Sequence, residues 1–326
     1  MNVLVTGGAG FVGSNLCEAL LERGDTVYCL DDLSTGLESN MKDFISNSRF
    51  IFRKGSILDT LALEELISKV DVVFHLAAAV GVKYIVDDPL KGIITNVHGT
   101  EQVLRLSYKY KLKKVIVISS SEVYGKSQKV PYKEDDDRVL GSTKLNRWSY
   151  AASKAIDEHM AFSYADLGLP TVVLRFFNVY GPRMNEMGYG SVVAQFIKQA
   201  LCKQPITVHG SGKQSRSFTY VDDIVKGVIS ASEVESAVGD VFNIGNGRPT
   251  RIANLAKLIK KSTASISGIR RIPYKEYYGP SYEDALIRCP DITKAKRVLG
   301  YDPKVALEDG LAKTISWCAR NYEWKT

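Results

Sequence analysis

The chain has 326 residues with 43 Lys and Arg against 36 Asp and Glu, a net charge of +7, and 45% hydrophobic residues. This suits one large or two modest globular domains whose core needs no metal or disulfide staples. The five cysteines, Cys17, Cys29, Cys202, Cys289 and Cys318, form no CxxC pair, which argues against a metal site and for a reducing cytoplasm.

The apolar stretch before Gly7 is only a few residues long and runs straight into glycines, so it reads as a strand and not a signal peptide. No run approaches the roughly 20 apolar residues of a membrane span, and no membrane partner is expected. The basic cluster Arg105, Lys109, Lys111, Lys113 and Lys114 reads as a solvated helix end, not as a nucleic-acid face.

In chain order, a strand over residues 2–6 is followed by a helix over 11–23 and strands over 26–30 and 49–53. A helix over 61–70, a strand over 72–76, a helix over 95–110, a strand over 115–119, a helix over 149–167 and a strand over 171–175 complete the series. Strand and helix alternating in this way require crossovers, hence a parallel sheet covered on both faces. The expected class is α/β: a Rossmann-type, doubly wound parallel sheet. After about residue 176 glycine and proline become frequent and the elements shorten. This predicts a cofactor domain over 1–176 and a smaller substrate-binding lobe over 177–326 whose segments interleave with it.

Gly7, Gly10 and Gly13 follow the first strand and open the first helix. Glycines at this spacing allow a tight turn and close approach of backbone to a pyrophosphate, which the helix N-terminus attracts. Asp31, at the end of the second strand, is placed to bind ribose hydroxyls and repel a 2′-phosphate. Asp32 stands beside it, so NAD is favoured over NADP.

The fifth strand runs into Ser119, Ser120, Ser121 and Glu122, at the end of the sheet where ligands of such folds bind. Tyr150 and Lys154 lie at i and i+4 on one helix face. The ammonium is expected to lower the phenol's pKa, and Tyr150 can then take a proton from a sugar hydroxyl that Ser120 holds.

Several further stretches carry a resemblance: residues 6–13, 31–36, 75–78, 96–100, the serine cluster with Val123-Tyr124-Gly125, Tyr150 with Lys154, residues 175–183 and 210–223, Asn243-Ile244-Gly245, and Arg288 with Asp291. Across nearly its whole length the sequence resembles the extended short-chain dehydrogenase/reductases: nucleotide-sugar epimerases, dehydratases and decarboxylases. The resemblance implies an NAD site that adds Phe11, Val12, Ser34, Thr35, Gly36, Ser56, Ile57, Leu76, Ala77, Ala78, Asn96, Ser119 and Phe177 to the glycines and acids above, with Tyr150 and Lys154 touching the cofactor too. It also implies a UDP-sugar site. There Asn178, Arg216 and Arg288 hold the diphosphate, Val192, Val193, Phe196, Thr207, Val208 and His209 line the nucleobase, and Lys83 contacts substrate. Where the family often has Gly-Asp after the third strand this chain has Gly55-Ser56, so backbone groups or Asp59 would meet the adenine. A homodimer through the helices at 95–110 and 149–167 is expected as well.

The reaction stays open among epimerisation, dehydration and decarboxylation, all through a 4-keto sugar. A simple 4-epimerase needs only Ser120, Tyr150 and NAD. Glu122 stands where the family's C5-active members carry a glutamate, which is expected to remove the acidified C5 proton. Ser121 replaces the aspartic acid of 4,6-dehydratases and is a poor acid. Ser-Glu here, Asn146-Arg147-Trp148-Ser149-Tyr150 and residues 277–284 are similar to nucleotide-glucuronate decarboxylases. A reading of another class, a non-catalytic regulator that binds NAD or a nucleotide sugar, has no use for Ser120, Tyr150 and Lys154 together.

Overall fold

The computed structural model describes residues 1–80, 88–185, 191–274, 276 and 285–322. In chain order the central elements are β1 (Asn2–Thr6), α1 (Phe11–Arg23), β2 (Thr26–Asp31), β3 (Phe50–Lys54), α2 (Thr60–Ile67) and β4 (Val72–His75). They continue through α3 (Pro89–Ile93), a π-helical turn (Ile94–His98), α4 (Gly99–Lys109), β5 (Lys114–Ser120), α5 (Ser149–Asp166) and β6 (Thr171–Phe176). The expected strands and helices are present, their ends shifted by a few residues. The helix expected over 95–110 is the exception, because a π turn precedes α4.

Past β6 come β7 (Val179–Tyr180), α6 (Val192–Leu201), β8 (Ile206–His209), β9 (Ser215–Ser217), β10 (Thr219–Tyr220), α7 (Val221–Glu233) and β11 (Asp240–Ile244). Then follow β12 (Pro249–Arg251), α8 (Ile252–Ser262), β13 (Ile269–Ile272), β14 (Ile287–Arg288), α9 (Thr293–Leu299) and α10 (Leu307–Asn321).

The main sheet is parallel, with strand order β11-β6-β5-β4-β1-β2-β3. One of its two edge strands, β11, comes from well beyond residue 176, so the second half of the chain completes the sheet begun by the first. The order reverses between β1 and β4, the switch point where ligands of doubly wound sheets bind.

Side-chain alternation along the strands fills both faces. Val3, Val5, Phe74, Ile116, Val172 and Phe242 pack with Leu16 and Leu20 of α1 and Ile224 and Val228 of α7. Leu4, Val73, Val115, Val117 and Val173 pack on the other face with Leu63 of α2 and Leu104 of α4. A separate core beyond the sheet joins Phe196, Ile197, Ile206, Val208, Leu255, Ile259 and Leu311. No helix among the described residues is long and apolar enough to cross a membrane. The basic cluster is largely neutralised within the chain: Arg105 pairs with Glu101, Lys109 with Glu64, Lys113 with Asp71 and Lys114 with Glu235.

Candidate functional site

The turn between β1 and α1 is built without room for side chains. Gly7 holds φ +73, and a Cβ on it would stand 2.8 Å from Ala77 N. A Cβ on Gly13 would overlap the Gly7 carbonyl oxygen. Gly10 caps α1 without any side-chain hydrogen bond. The first-turn N–H groups and the positive helix end are therefore offered to an anion. Phe11 and Val12 begin that helix.

Asp31, at the end of β2, reaches back to this turn: its Oδ2 accepts from Ala9 N at 3.0 Å and its Oδ1 from Leu33 N at 2.8 Å. Asp32 Oδ1 accepts from Ser34 N at 2.9 Å, which fixes the loop through Thr35 and Gly36. A Cβ on Gly36 would come within 2.9 Å of both Ala9 C and Asp31 Oδ1. A carboxylate held beside a phosphate-binding helix end fits an unphosphorylated adenosine ribose, hence NAD.

Ser56 and Ile57 follow β3. Ser56 Oγ accepts from Leu58 N, and Ile57 is buried over Gly99. Asp59, one of two candidates for the adenine contact, caps α2 instead, accepting from Leu61 N and Ala62 N at 3.1 and 3.2 Å. After β4, Leu76 N donates to Thr6 O and Ala77 N to Thr6 Oγ1, which brings Leu76, Ala77 and Ala78 alongside the glycine turn. Asn96, buried in the π turn, accepts from Ala79 N at 2.8 Å and donates to Ser153 Oγ at 3.0 Å.

Tyr150 sits in the first turn of α5 and hydrogen-bonds the Ser120 hydroxyl at the end of β5. Ser120 Oγ also accepts from Glu122 N at 3.2 Å. The expected effect of Lys154 on Tyr150 is corrected by the structure. Lys154 Nζ donates to Asp157 Oδ2 at 2.7 Å, with both side chains buried. The phenol lies above its usual range: burial raises it most, the charge of Glu122 adds to this, the Ser120 bond opposes it, and Asp157 raises it further. An ammonium neutralised by its own carboxylate has little field left for the phenolate.

Glu122 is clamped between two arginines. Its Oε2 accepts from Arg147 Nη2 at 2.8 Å and its Oε1 from Arg288 Nη1. Burial alone would raise its carboxyl, but the guanidiniums of Arg288 and Arg147 more than offset this and bring it to about 2. So acidic a group is a weak acceptor for a carbon-bound proton while both arginines hold it. Ser121 is buried beside it. Arg147, on the 3₁₀ turn Asn146–Trp148, was not singled out from the sequence as a site residue. Only the folding of that turn against the β5 loop pairs it with Glu122, 25 positions away.

On the substrate side, parallel pairing of β14 with β9 sets Arg288 directly beside Arg216, both buried. Asn178 Oδ1 is buried and has no hydrogen-bond partner among the described residues. A pair of guanidiniums suits a diphosphate, whereas the free Asn178 oxygen is an acceptor and calls for a donor. Val192, Thr207 and His209 remain partly accessible. Val193, Phe196 and Val208, expected at the nucleobase, are about 1% exposed and point into the lobe's own core, as the period of their helix and strand dictates. Phe177 is likewise interior, packed with Tyr124 and Tyr132, so its side chain cannot touch a cofactor. The Ser119 hydroxyl is taken by Glu158 at 2.5 Å, which Arg175 grips through Nε and Nη2 at 2.9 and 2.7 Å. Lys83 and the stretch 277–284 lie outside the described residues.

Comparison with known proteins agrees with this geometry. The chain is 42% identical over 96% of its length, and 96% of the relative's, to a UDP-N-acetyl-alpha-D-glucosaminuronate decarboxylase of Bacillus cytotoxicus. It superposes on a UDP-glucuronic acid 4-epimerase from Bacillus cereus, solved with UDP-glucuronic acid and NAD, with a TM-score of 0.88 and 33% identity, covering 99% of this chain and 100% of that one. A UDP-glucose 4-epimerase from Thermotoga maritima, solved with UDP-glucose, gives a TM-score of 0.89 at 36% identity, covering 98% and 99% of the two chains. The family model described as the NAD dependent epimerase/dehydratase family matches residues 3–245, and this chain belongs to that family.

Proposed function

We propose that this enzyme decarboxylates a UDP-hexuronic acid through a 4-keto sugar, acting as a lyase. Held at the β1–α1 glycine turn and Asp31, NAD would supply a reversible acceptor for the C4 hydride. Ser120 holds the C4 hydroxyl and Tyr150 takes its proton. The resulting ketone at C4 makes the C6 carboxylate a β-keto acid. The C5–C6 bond then breaks, carbon dioxide leaves, and the electron pair passes to C5 and the C4 oxygen. A proton must be delivered to C5 afterwards, but none has to be removed from it.

The observation that carries this reading is the Arg147–Glu122–Arg288 clamp beside Ser120, a cluster of net positive charge that suits an anionic sugar and holds Glu122 as a weak base. Ser121 in place of an acid disfavours loss of water, and the name of the 42% identical relative points the same way. The test is incubation with UDP-glucuronate and with UDP-N-acetylglucosaminuronate, read by mass and proton NMR. Loss of carbon dioxide is expected. Unchanged mass with altered couplings at C4 would mean epimerisation, and loss of water dehydration; either overturns the proposal. In deuterium oxide the product should carry one deuterium at C5, while substrate recovered part-way should carry none there.

The protein works as a homodimer through the outer faces of α3–α4 and α5, where Leu90, Ile93, Ile94, Tyr108 and Ile156 are exposed. Five free buried thiols accord with a reducing cytoplasm.

A further inference from the structure

The scheme above uses Tyr150 but gives no task to Asp157, which lies one turn beyond Lys154 on α5 and is fully buried. A buried carboxylate is costly unless it is paired, and its partner here is the ammonium of the catalytic helix. We propose that Asp157 is a positioning residue: it holds the Lys154 ammonium on the sheet side of α5 and so sets the pH at which Tyr150, one turn before that ammonium, gives up its proton. This rests on the reading of Tyr150 as the base.

The surroundings single out Asp157 as the counter-charge. His75, which faces Lys154 from β4, is kept neutral, its imidazole pushed down to about 3 by burial and then by Lys154. Its Nδ1 lies 2.8 Å from Thr6 Oγ1 and its Nε2 3.0 Å from Thr100 Oγ1. Burial raises the Asp157 carboxyl above its usual range, and the Lys154 ammonium and then the Thr100 hydroxyl oppose this by favouring its ionised form. Ala77 N donates to Thr6, so hydroxyls and imidazole can all donate in one direction, toward the Asp157 carboxylate. Glu158, next along the helix, is already committed to Arg175 and Ser119. On the far side Tyr150 faces Ser120 and Glu122, and Glu122 is neutralised by Arg147 and Arg288.

The consequence is a coupled titration. With Asp157 ionised, the protonated pair and its carboxylate are neutral overall, and losing a proton leaves a buried net negative charge. Without that carboxylate the protonated pair is cationic, and losing a proton brings it to neutrality. Tyr150 therefore releases its proton at lower pH in the variant.

The test uses the NAD-loaded enzyme and Asp157→Asn, which keeps the shape and removes the charge. The acid limb of the kcat profile should move down by about one pH unit or more, a tenfold change in proton affinity. Tyrosinate absorbance titrated as a difference against Tyr150→Phe, needed because the chain has 17 tyrosines, should move with it. Asp157→Ser must shift both in the same direction, which covers poor folding of the first variant. Measured against K154M, the double variant K154M/D157N should show a smaller shift, because only the direct effect of the Asp157 charge on Tyr150 remains there. A change in Tm with both midpoints unmoved would show a merely structural carboxylate and overturn the proposal. The absorbance titration needs no substrate, so it stands even if the enzyme proves inert toward every UDP-hexuronate.

Discussion

At the scale of single residues the site is governed by how its charges are shared out. In the proposed scheme Tyr150, hydrogen-bonded to Ser120, takes the hydroxyl proton. Tyr150→Phe should lower kcat by about 10²–10⁴ while leaving NAD affinity, followed by fluorescence quenching, nearly unchanged. Glu122 makes a second prediction. Its folded pKa of about 2 lies well below the roughly 4.3 of a free glutamate, so its ionised form contributes on the order of 3 kcal/mol to stability. That contribution is present in full above the unfolded pKa and is lost as pH falls toward 2. Denaturant unfolding should show Glu122→Gln less stable than the parent by a few kcal/mol at pH 7, with the gap closing below about pH 4. A gap independent of pH would mean that the two arginines do not hold the carboxylate as described.

At the scale of elements, the turn between β1 and α1 works by exclusion of side chains, and Gly13 is its tightest point. Gly13→Ala would push Cβ into the Gly7 carbonyl and drive α1 away from the sheet. Loss of NAD binding by calorimetry, with a fall in Tm, is expected; normal affinity would mean the turn has slack the structure does not show. This element was legible in the sequence because its constraint is local: glycine spacing, a strand before and a helix after. The same holds for Tyr150 and Lys154 as a pair on one helix face. What the sequence hid is what three-dimensional pairing decides. Nothing in the spacing of Lys154 and Asp157 says that this bond, and not one to Tyr150, forms at 2.7 Å. Arg147 meets Glu122, and Arg288 meets Arg216, only once separate segments are folded together. The nucleobase wall was over-read for a related reason. Residues 193, 196 and 208 lie on the right elements, but their side chains fall on the buried phase of the helical and strand periods.

At the scale of the whole molecule, α5 has two unlike faces. Tyr150, Lys154 and Asp157 line or underlie the site, while Ile156, only two residues past Lys154, is 45% exposed on the other side. Leu90, at 66%, and Ile94, at 44%, belong to the neighbouring helical segment, which packs against α5. Clustered apolar side chains on adjacent helices are costly to leave in water and are the usual mark of an interface. In the proposed homodimer a helix that carries the catalytic tyrosine is thus clamped from behind by a second copy. Ile156→Asp would place a charge in that contact without touching the site directly. Sedimentation should then give a species near 36.0 kDa in place of twice that mass. The parent's Tm should rise with protein concentration, as mass action requires of a dimer, and the variant's should not. If the clamp steadies α5, kcat of the variant falls while NAD affinity at the β1–α1 turn, on the opposite side of β4, is retained. A parent that sediments as a monomer at every concentration would remove the dimer, and with it any role of the second copy in holding Tyr150 in place.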